Sequence, residues 1–218
     1  MGFWSSVGSF CSGVASSIGG ALSSALSAIS PVLGMGLEVI KAVAQVAHTV
    51  LTALGIIQPE EKIDDLGDRV NQAAEAGIKP ENYEKFDDYV QAIRSFDLDP
   101  EKSKKTTETE KLASGLGFAS LALEDKYKGS DAGNLANIWN LVAKNPEYFS
   151  AEKIGSLLST TQDIKSIADY FDNKLNTKDA LVAEQKLFNT EKSLSPEKTD
   201  NAIYASIDVA KANHNRME

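Results

Sequence analysis

A chain of 218 residues with 22 lysines and arginines against 31 aspartates and glutamates carries a formal charge of -9. It is long enough for one or two domains with a substantial core. The balance argues against general nucleic-acid binding, which needs a positive field to displace counterions from phosphates, and the one cysteine, Cys11, excludes a disulfide-stapled extracellular scaffold.

The charge is unevenly spread. Residues 1–57 hold only Glu38 and Lys41 as formal charges, with eight of the fifteen glycines and ten serines, so residues 58–218 carry the whole -9. The chemical boundary falls at Gln58-Pro59. It divides the chain into a hydrophobic, Gly/Ser/Ala-rich part (1–57) for assembly or membrane contact and an acidic body (58–218). The start lacks the basic segment of a conventional signal peptide. It fits the bare pattern Met1-Gly2-x-x-x-Ser6, which permits myristoylation of Gly2 where the enzyme is present.

Phe3, Val7, Phe10, Val14, Ile18, Leu22, Ala25 and Ile29 recur at steps of three or four, which predicts a helix over 3–29. Gly13, Ser16, Gly20 and Ser24 lie on its small-residue face, a spacing that lets two helix backbones approach closely. They are the expected packing or oligomer interface. Phe3, Trp4, Phe10, Ile18 and Leu22 are the expected membrane or partner contacts, with Trp4 suited to an interface. Glycine and serine make such a helix poor in isolation, so it needs a partner. Ser30-Pro31 suits a helix start, and Val32 to Ile57 is long enough to cross a bilayer if continuous, about 39 Å at 1.5 Å per residue. A buried bundle helix has the same pattern. Together the two segments read as a hairpin bending near Ile29 to Gly36.

From Pro59 the pattern is that of amphipathic helices. Ile63, Leu66 and Val70 form one stripe ended by Ala76-Gly77; Tyr83, Phe86, Val90 and Ile93 form a second after Pro80. Residues 97–109 read as a polar connection, with a hinge or exposed loop at Lys104 to Thr107. Leu112 to Leu123 reads as a helix despite Gly115 and Gly117. Further helices carry Leu135, Ile138, Trp139 and Val142 after a cap at Asp131, then Ile154, Leu157 and Leu158 after Ser150. Thr161 is expected to start the segment with Ile164, Ile167 and Phe171, Thr177 the one with Leu181 and Phe188, and Ser195-Pro196 the last, with Ile203, Ile207 and Ala210. The fold class expected is all-α, a hydrophobic N-terminal helical hairpin followed by an irregular multi-helix bundle.

Local signatures of chemistry are missing. His48 and His214 lie far apart, and with Cys11 they give no metal-ligand spacing. No nucleophile elbow, phosphate-binding loop or dinucleotide fingerprint occurs. Asp64 and Asp68 share a helix face, as a cation site would require; a solvated surface is the plainer reading. His48 suits a helix-to-helix hydrogen bond better than a pH switch, Trp139 suits the core, and Cys11 suits packing. No catalytic residue, cofactor or metal is expected.

The uncharged amino end, Phe3 to Ile29, is similar in a generic way to membrane-active segments of minor virion and delivered proteins. The reading that follows is a non-enzymatic component of an assembly, such as a virion or protein-delivery particle. Self-association or other proteins of that assembly are its expected partners, a lipid membrane a further one, and nucleic acid none. A pore-forming toxin, an intracellular adaptor or chaperone, and an enzyme without local motifs are the alternatives. Leakage dependent on residues 1–57 would mark the first, a soluble complex through the hairpin the second, and a concave polar site among the later helices the third.

Overall fold

The structure, a computed structural model, describes residues 20–127, 135–161 and 163–216. The fold is all-α: the described residues form twelve α-helices and a short 3-10 turn at Pro80–Asn82, with no strand among them.

Helix α1 (Gly20–Ala28) leads through a short α2 (Ser30–Gly34), with Pro31 in its first turn, into α3 (Leu37–Ala53). This is the expected hairpin, bent where Gly36 adopts a φ of 104°, open to glycine and costly for other residues. The run from Val32 to Ile57 is therefore not one helix. Gly36 sets the start of α3 and Gly55 (φ 69°) follows its end, leaving 17 residues, about 25 Å against a hydrocarbon thickness of about 30 Å. No described helix is long and apolar enough to cross a membrane.

Helix α4 (Ile63–Glu75) starts four residues later than Pro59 and is closed by Gly77 at φ 85°. After the 3-10 turn come α5 (Phe86–Ser95) and α6 (Pro100–Lys105). The stretch expected as a hinge is ordered at both ends: Lys104 and Lys105 lie on α6, and Thr107 caps α7 (Glu108–Lys126). The Thr107 hydroxyl accepts from the Glu110 N–H, and the Glu110 carboxylate accepts from the Thr107 N–H at 2.7 Å. This reciprocal capping satisfies two backbone donors that a helix start leaves open.

Every residue from Leu112 to Leu123 on α7 is buried. A helix apolar on all sides is stable only when surrounded, and α1, α3 and α4 all pack on it. The α4–α7 crossing is set by two glycines. A Cβ on Gly67 would lie 1.8 Å from the Lys111 carbonyl oxygen, and one on Gly115 would lie 2.0 Å from that of Ile63. The backbones touch because no side chain separates them.

The remaining helices are α8 (Asn137–Lys144), α9 (Ala151–Thr160), α10 (Ile164–Phe171), α11 (Thr177–Leu194) and α12 (Asp200–His214). Ser150 caps α9 as expected. The caps of the next three are Asp163, Asn176 and Thr199, each two to four residues from the expected start or directly before it. Asp131, the expected cap before α8, lies outside the described residues. Helix α3 contacts α7 on one side and α8 and α9 on the other, and one apolar core runs from Leu22 to Ala210. Trp139 is fully buried there, its indole N–H donating to Ser120 at 3.0 Å. Leu181, expected on the inner face of α11, is 61% exposed, and Ala183 and Leu187 point inward instead.

Candidate contact cleft and interfaces

Helix α5 turns an aromatic face to α7. The Phe86 ring centroid is 5.8 Å from that of Phe118 and 5.7 Å from that of Tyr89, and Tyr83 extends the cluster at 5.7 Å from Tyr89. Burial pushes the Tyr89 phenol well above its ordinary pKa, so it stays neutral. Beside this cluster a cleft of about 510 Å³ opens between α5, the end of α7 and the connection after α3. Ile56, Phe86, Val90 and Ala122 give it an apolar floor; Asp87, Gln91, Arg94, Asp125 and Lys126 form a polar rim.

The cleft wall is tied in place. Arg94 bonds both carboxylate oxygens of Glu61, at 2.7 and 2.8 Å, and donates to the Ile56 carbonyl at 2.9 Å. Burial raises the Glu61 pKa, but the Arg94 hydrogen bonds, the Gln58 N–H and the two nearby guanidinium charges outweigh it and hold it below the ordinary range. Arg69 donates to the carbonyls of Arg94 and Phe96 at the end of α5, where the helix dipole favours a cation. Lys126 donates to the Leu54 carbonyl at 2.9 Å and fixes the opposite side.

A second recess, about 530 Å³, lies between α3, α4 and the start of α7, with Lys41, His48, Lys62, Asp64 and Glu108 among its lining. His48 sits there with Nε2 3.2 Å from the Pro59 carbonyl oxygen, joining α3 to the following connection rather than to another helix. Asp68, expected at a solvated surface, is 3% exposed. The close glycine crossing brings α7 over it, and Lys111 pairs with it at 2.8 Å while Gln72 donates to it at 3.2 Å. Burial raises its pKa, and the bonds from Lys111, Ser103 and Gln72 bring it below the usual carboxylate range. Asp64 and Asp68 therefore do not form a shared cation site; one lines the recess and the other is an ion-pair partner.

Two further polar clusters hold the last helices. Buried Lys153 pairs with buried Glu191 and lies 3.4 Å from the centre of the Tyr148 ring, tying α9 to α11. Asp172 accepts from His214 at 2.8 Å and Lys174 at 2.7 Å, anchoring the end of α12 beside α10. Its pKa is about 2 because burial, which raises it, is overcome by Lys174, His214 and Lys144. Neither cluster lines a cleft described above. Among the described residues no group of three or more His, Cys, Asp or Glu has a metal-holding arrangement.

Of the expected contact residues, Gly20 and Ser24 are exposed, one turn apart on α1. Among the described residues a Cβ on Gly20 would meet only the Glu81 carboxylate, at 3.6 Å, and the Ser24 hydroxyl donates to the Gly20 carbonyl of its own helix at 3.0 Å. Leu22 is fully buried and faces Gly117 of α7. Gly13, Ser16, Phe3, Trp4, Phe10 and Ile18 lie outside the described residues. The backbone contact between Gly67 and Gly115 was not singled out from the sequence. Its signal was present in Gly115 and Ala119, four apart within the uncharged run 112–123. No protein-family model matches the chain, and neither does any curated protein or solved structure.

Proposed function

We propose that the chain is a non-enzymatic assembly component that joins a second copy, or another protein of its particle, through its uncharged amino end. The supporting observation is a division within residues 1–57: Leu22, Leu26, Ile29, Val32, Leu33 and Ile40 are absorbed in the body's own core, while Gly20 and Ser24 face outward on α1. In this reading the small-residue face that Gly20 and Ser24 continue from Gly13 and Ser16 in the sequence is what a partner helix meets. Phe3, Trp4, Phe10 and Ile18 supply apolar anchors, including for a lipid surface. The likeness of this segment to those of minor virion and delivered proteins favours a virion or protein-delivery particle as the setting.

The test compares two truncations and one substitution. Removing residues 1–19 should leave a folded monomer by light scattering and abolish vesicle co-sedimentation. Removing residues 1–57 also strips the core and should give a chain with secondary structure but no near-ultraviolet signal from Trp139. Gly20→Leu, whose Cβ among the described residues would meet a side-chain oxygen and no backbone, should weaken association more than it lowers the melting temperature. Full association by a folded chain lacking residues 1–19 would overturn the proposal.

A further inference from the structure

The last two helices form a hairpin, α11 turning into α12 between Ser195 and Thr199, that packs on the face presented by α8, α9 and α10. Its buried apolar residues are few: Ala183, Leu187, Ile203, Ile207 and Ala210. Polar contacts supplement them. Glu191 pairs with Lys153 of α9, Glu184 accepts from the Tyr170 hydroxyl at 3.1 Å, and the Ala210 carbonyl accepts from the Asn145 side chain at 2.9 Å. The hairpin is rooted in the stop that closes α10. There the Lys174 N–H donates to the Asp169 carbonyl at 2.8 Å and the Asn173 N–H to the Tyr170 carbonyl at 3.3 Å, a pairing that needs a left-handed residue at position 173. The described residues with a positive φ are Gly36, Gly55, Gly77 and Asn173, the last at 55°. Glycine adopts that conformation freely, whereas a side chain resists it, asparagine least and β-branched residues most. The chain thus turns against a backbone preference where α10 gives way to the hairpin.

We infer that the face of α8, α9 and α10 beneath the hairpin is also an interface for a second copy of this chain, through exchange of the hairpin. The hairpin swings out at Asn173 and seats on the other copy's face, and that copy's hairpin takes the vacated place. Every contact between hairpin and body re-forms between copies, so the surface needs no new complementarity. What changes lies at the hinge. Asn173 leaves the left-handed region, and the two junctions between α10 and α11 pass side by side. Leu181 and Val182, 61% and 51% exposed, stand just past that hinge on α11, where the second junction covers them. The large apolar side chains left exposed among the described residues are these two with Tyr204 and Val209, and all four lie on the hairpin. The uncovered apolar surface and the disfavoured turn therefore belong to the same unit. The exchange does not rest on the amino-end contact proposed above. Together the two would give each chain two points of attachment, which growth beyond a closed pair requires.

Ser156 of α9 and Ser193 of α11 hold their hydroxyl oxygens 3.4 Å apart across the seam between body and hairpin and provide the probe. Two full-length chains are prepared without the native cysteine (Cys11→Ser), one carrying Ser156→Cys and the other Ser193→Cys. They are unfolded together in urea, refolded at high protein concentration and oxidised, and the disulfide is located by peptide mapping. Neither cysteine has a partner in its own chain, so exchange predicts a bond between chains from position 156 to position 193. That bond should be at least about tenfold more abundant than one from position 156 to Gln185→Cys, an exposed site two turns earlier on the same helix. Asn173→Gly, which holds the turn without strain, should lower the yield at least about fivefold, and Asn173→Val should raise it. A bond to position 193 no more abundant than the bond to position 185 overturns the inference, and so does a yield indifferent to both substitutions at position 173. Association through the amino end without the 156–193 bond rejects the exchange and leaves the amino-end contact standing, so the two readings fail separately.

Discussion

Replacing Gly67 by alanine adds one methyl group where α4 and α7 touch. Its Cβ would stand 1.8 Å from the Lys111 carbonyl oxygen and 2.6 Å from the Gly115 nitrogen, whereas ordinary contact begins near 3.4 Å. Both obstacles are backbone atoms within a buried helix, so no side-chain rotation clears them. The helices must separate by roughly 1.5 Å, loosening the seam that holds Ile63, Leu66, Val70, Leu112 and Leu116. Overpacking costs about 1–3 kcal/mol in ordinary cores, sometimes more, while alanine regains about 1 kcal/mol of helix propensity. With the obstacles fixed, the net loss should be about 2 kcal/mol. Gly155, also helical, has no atom within 4 Å of an added Cβ, so Gly155→Ala should gain about 0.5–1 kcal/mol. Gly115→Ala should resemble Gly67→Ala, and Gly117→Ala should fall between, because it meets the movable end of Leu22 at 2.9 Å. A chain of this size shifts its melting temperature by about 2–4 °C per kcal/mol. Circular dichroism at 222 nm should therefore place Gly67→Ala about 4–8 °C below the parent and Gly155→Ala a few degrees above it. Equal melting of the two variants would refute the backbone contact. The double variant Gly67→Ala/Gly115→Ala should lose less than the sum of the single losses, since one separation relieves both clashes.

The Asp172 carboxyl, with a pKa of about 2, lies below its unfolded value of about 3.9. Its contribution is complete above the unfolded value and disappears as pH falls through the folded one. A difference of roughly two units corresponds to at most about 2.6 kcal/mol. Asp172→Asn should thus destabilise the chain at pH 6 and make little difference at pH 1.5, measured by urea titration; an equal loss at both pH values would contradict the ion-pair account. Ser120→Ala should cost about 1–3 kcal/mol by leaving the buried Trp139 indole N–H without its acceptor, and restoration of stability by Ser120→Thr is the check, since it returns the hydroxyl. No loss in Ser120→Ala would reject the importance of that bond.

Local rules exposed much of the fold. Ser150 before an apolar run marked the start of α9, Asn145-Pro146 the end of α8, and Ile203, Ile207 and Ala210 the buried stripe of α12. Patterns compatible with two solutions misplaced other features. Ser195 and Thr199 both suit a helix start; Ser195 instead accepts from the Lys198 N–H in a turn, at 3.1 Å, and Thr199 caps α12. Thr107 and Glu110 carried the signature of a capping box, obscured by the basic residues before them. Asp68 has the composition of a surface residue and becomes buried only because two glycines 48 positions apart let α7 approach. The cleft was not legible at all, since Ile56, Phe86 and Ala122 converge from three separate segments, each indistinguishable locally from core. Among the expected contact residues, spacing alone did not reveal that Leu22 belongs inside, since its partner Gly117 is 95 positions away.

The central position of α7 also dictates an order of events during synthesis. Helices α1, α3 and α4 leave the ribosome before the helix on which they pack, and the Asn140 side chain that bonds the Ala28 carbonyl follows 112 residues after it. The 73 residues between Ala53 and Lys126 take roughly 4–15 s to make at about 5–20 residues per second. Throughout that interval Leu22 and Leu26 lack the α7 surface at Gly117 against which they pack. Nascent chains halted before Glu108 should therefore recruit apolar-binding chaperones, and chains extended past Lys126 should release them as α7 becomes available.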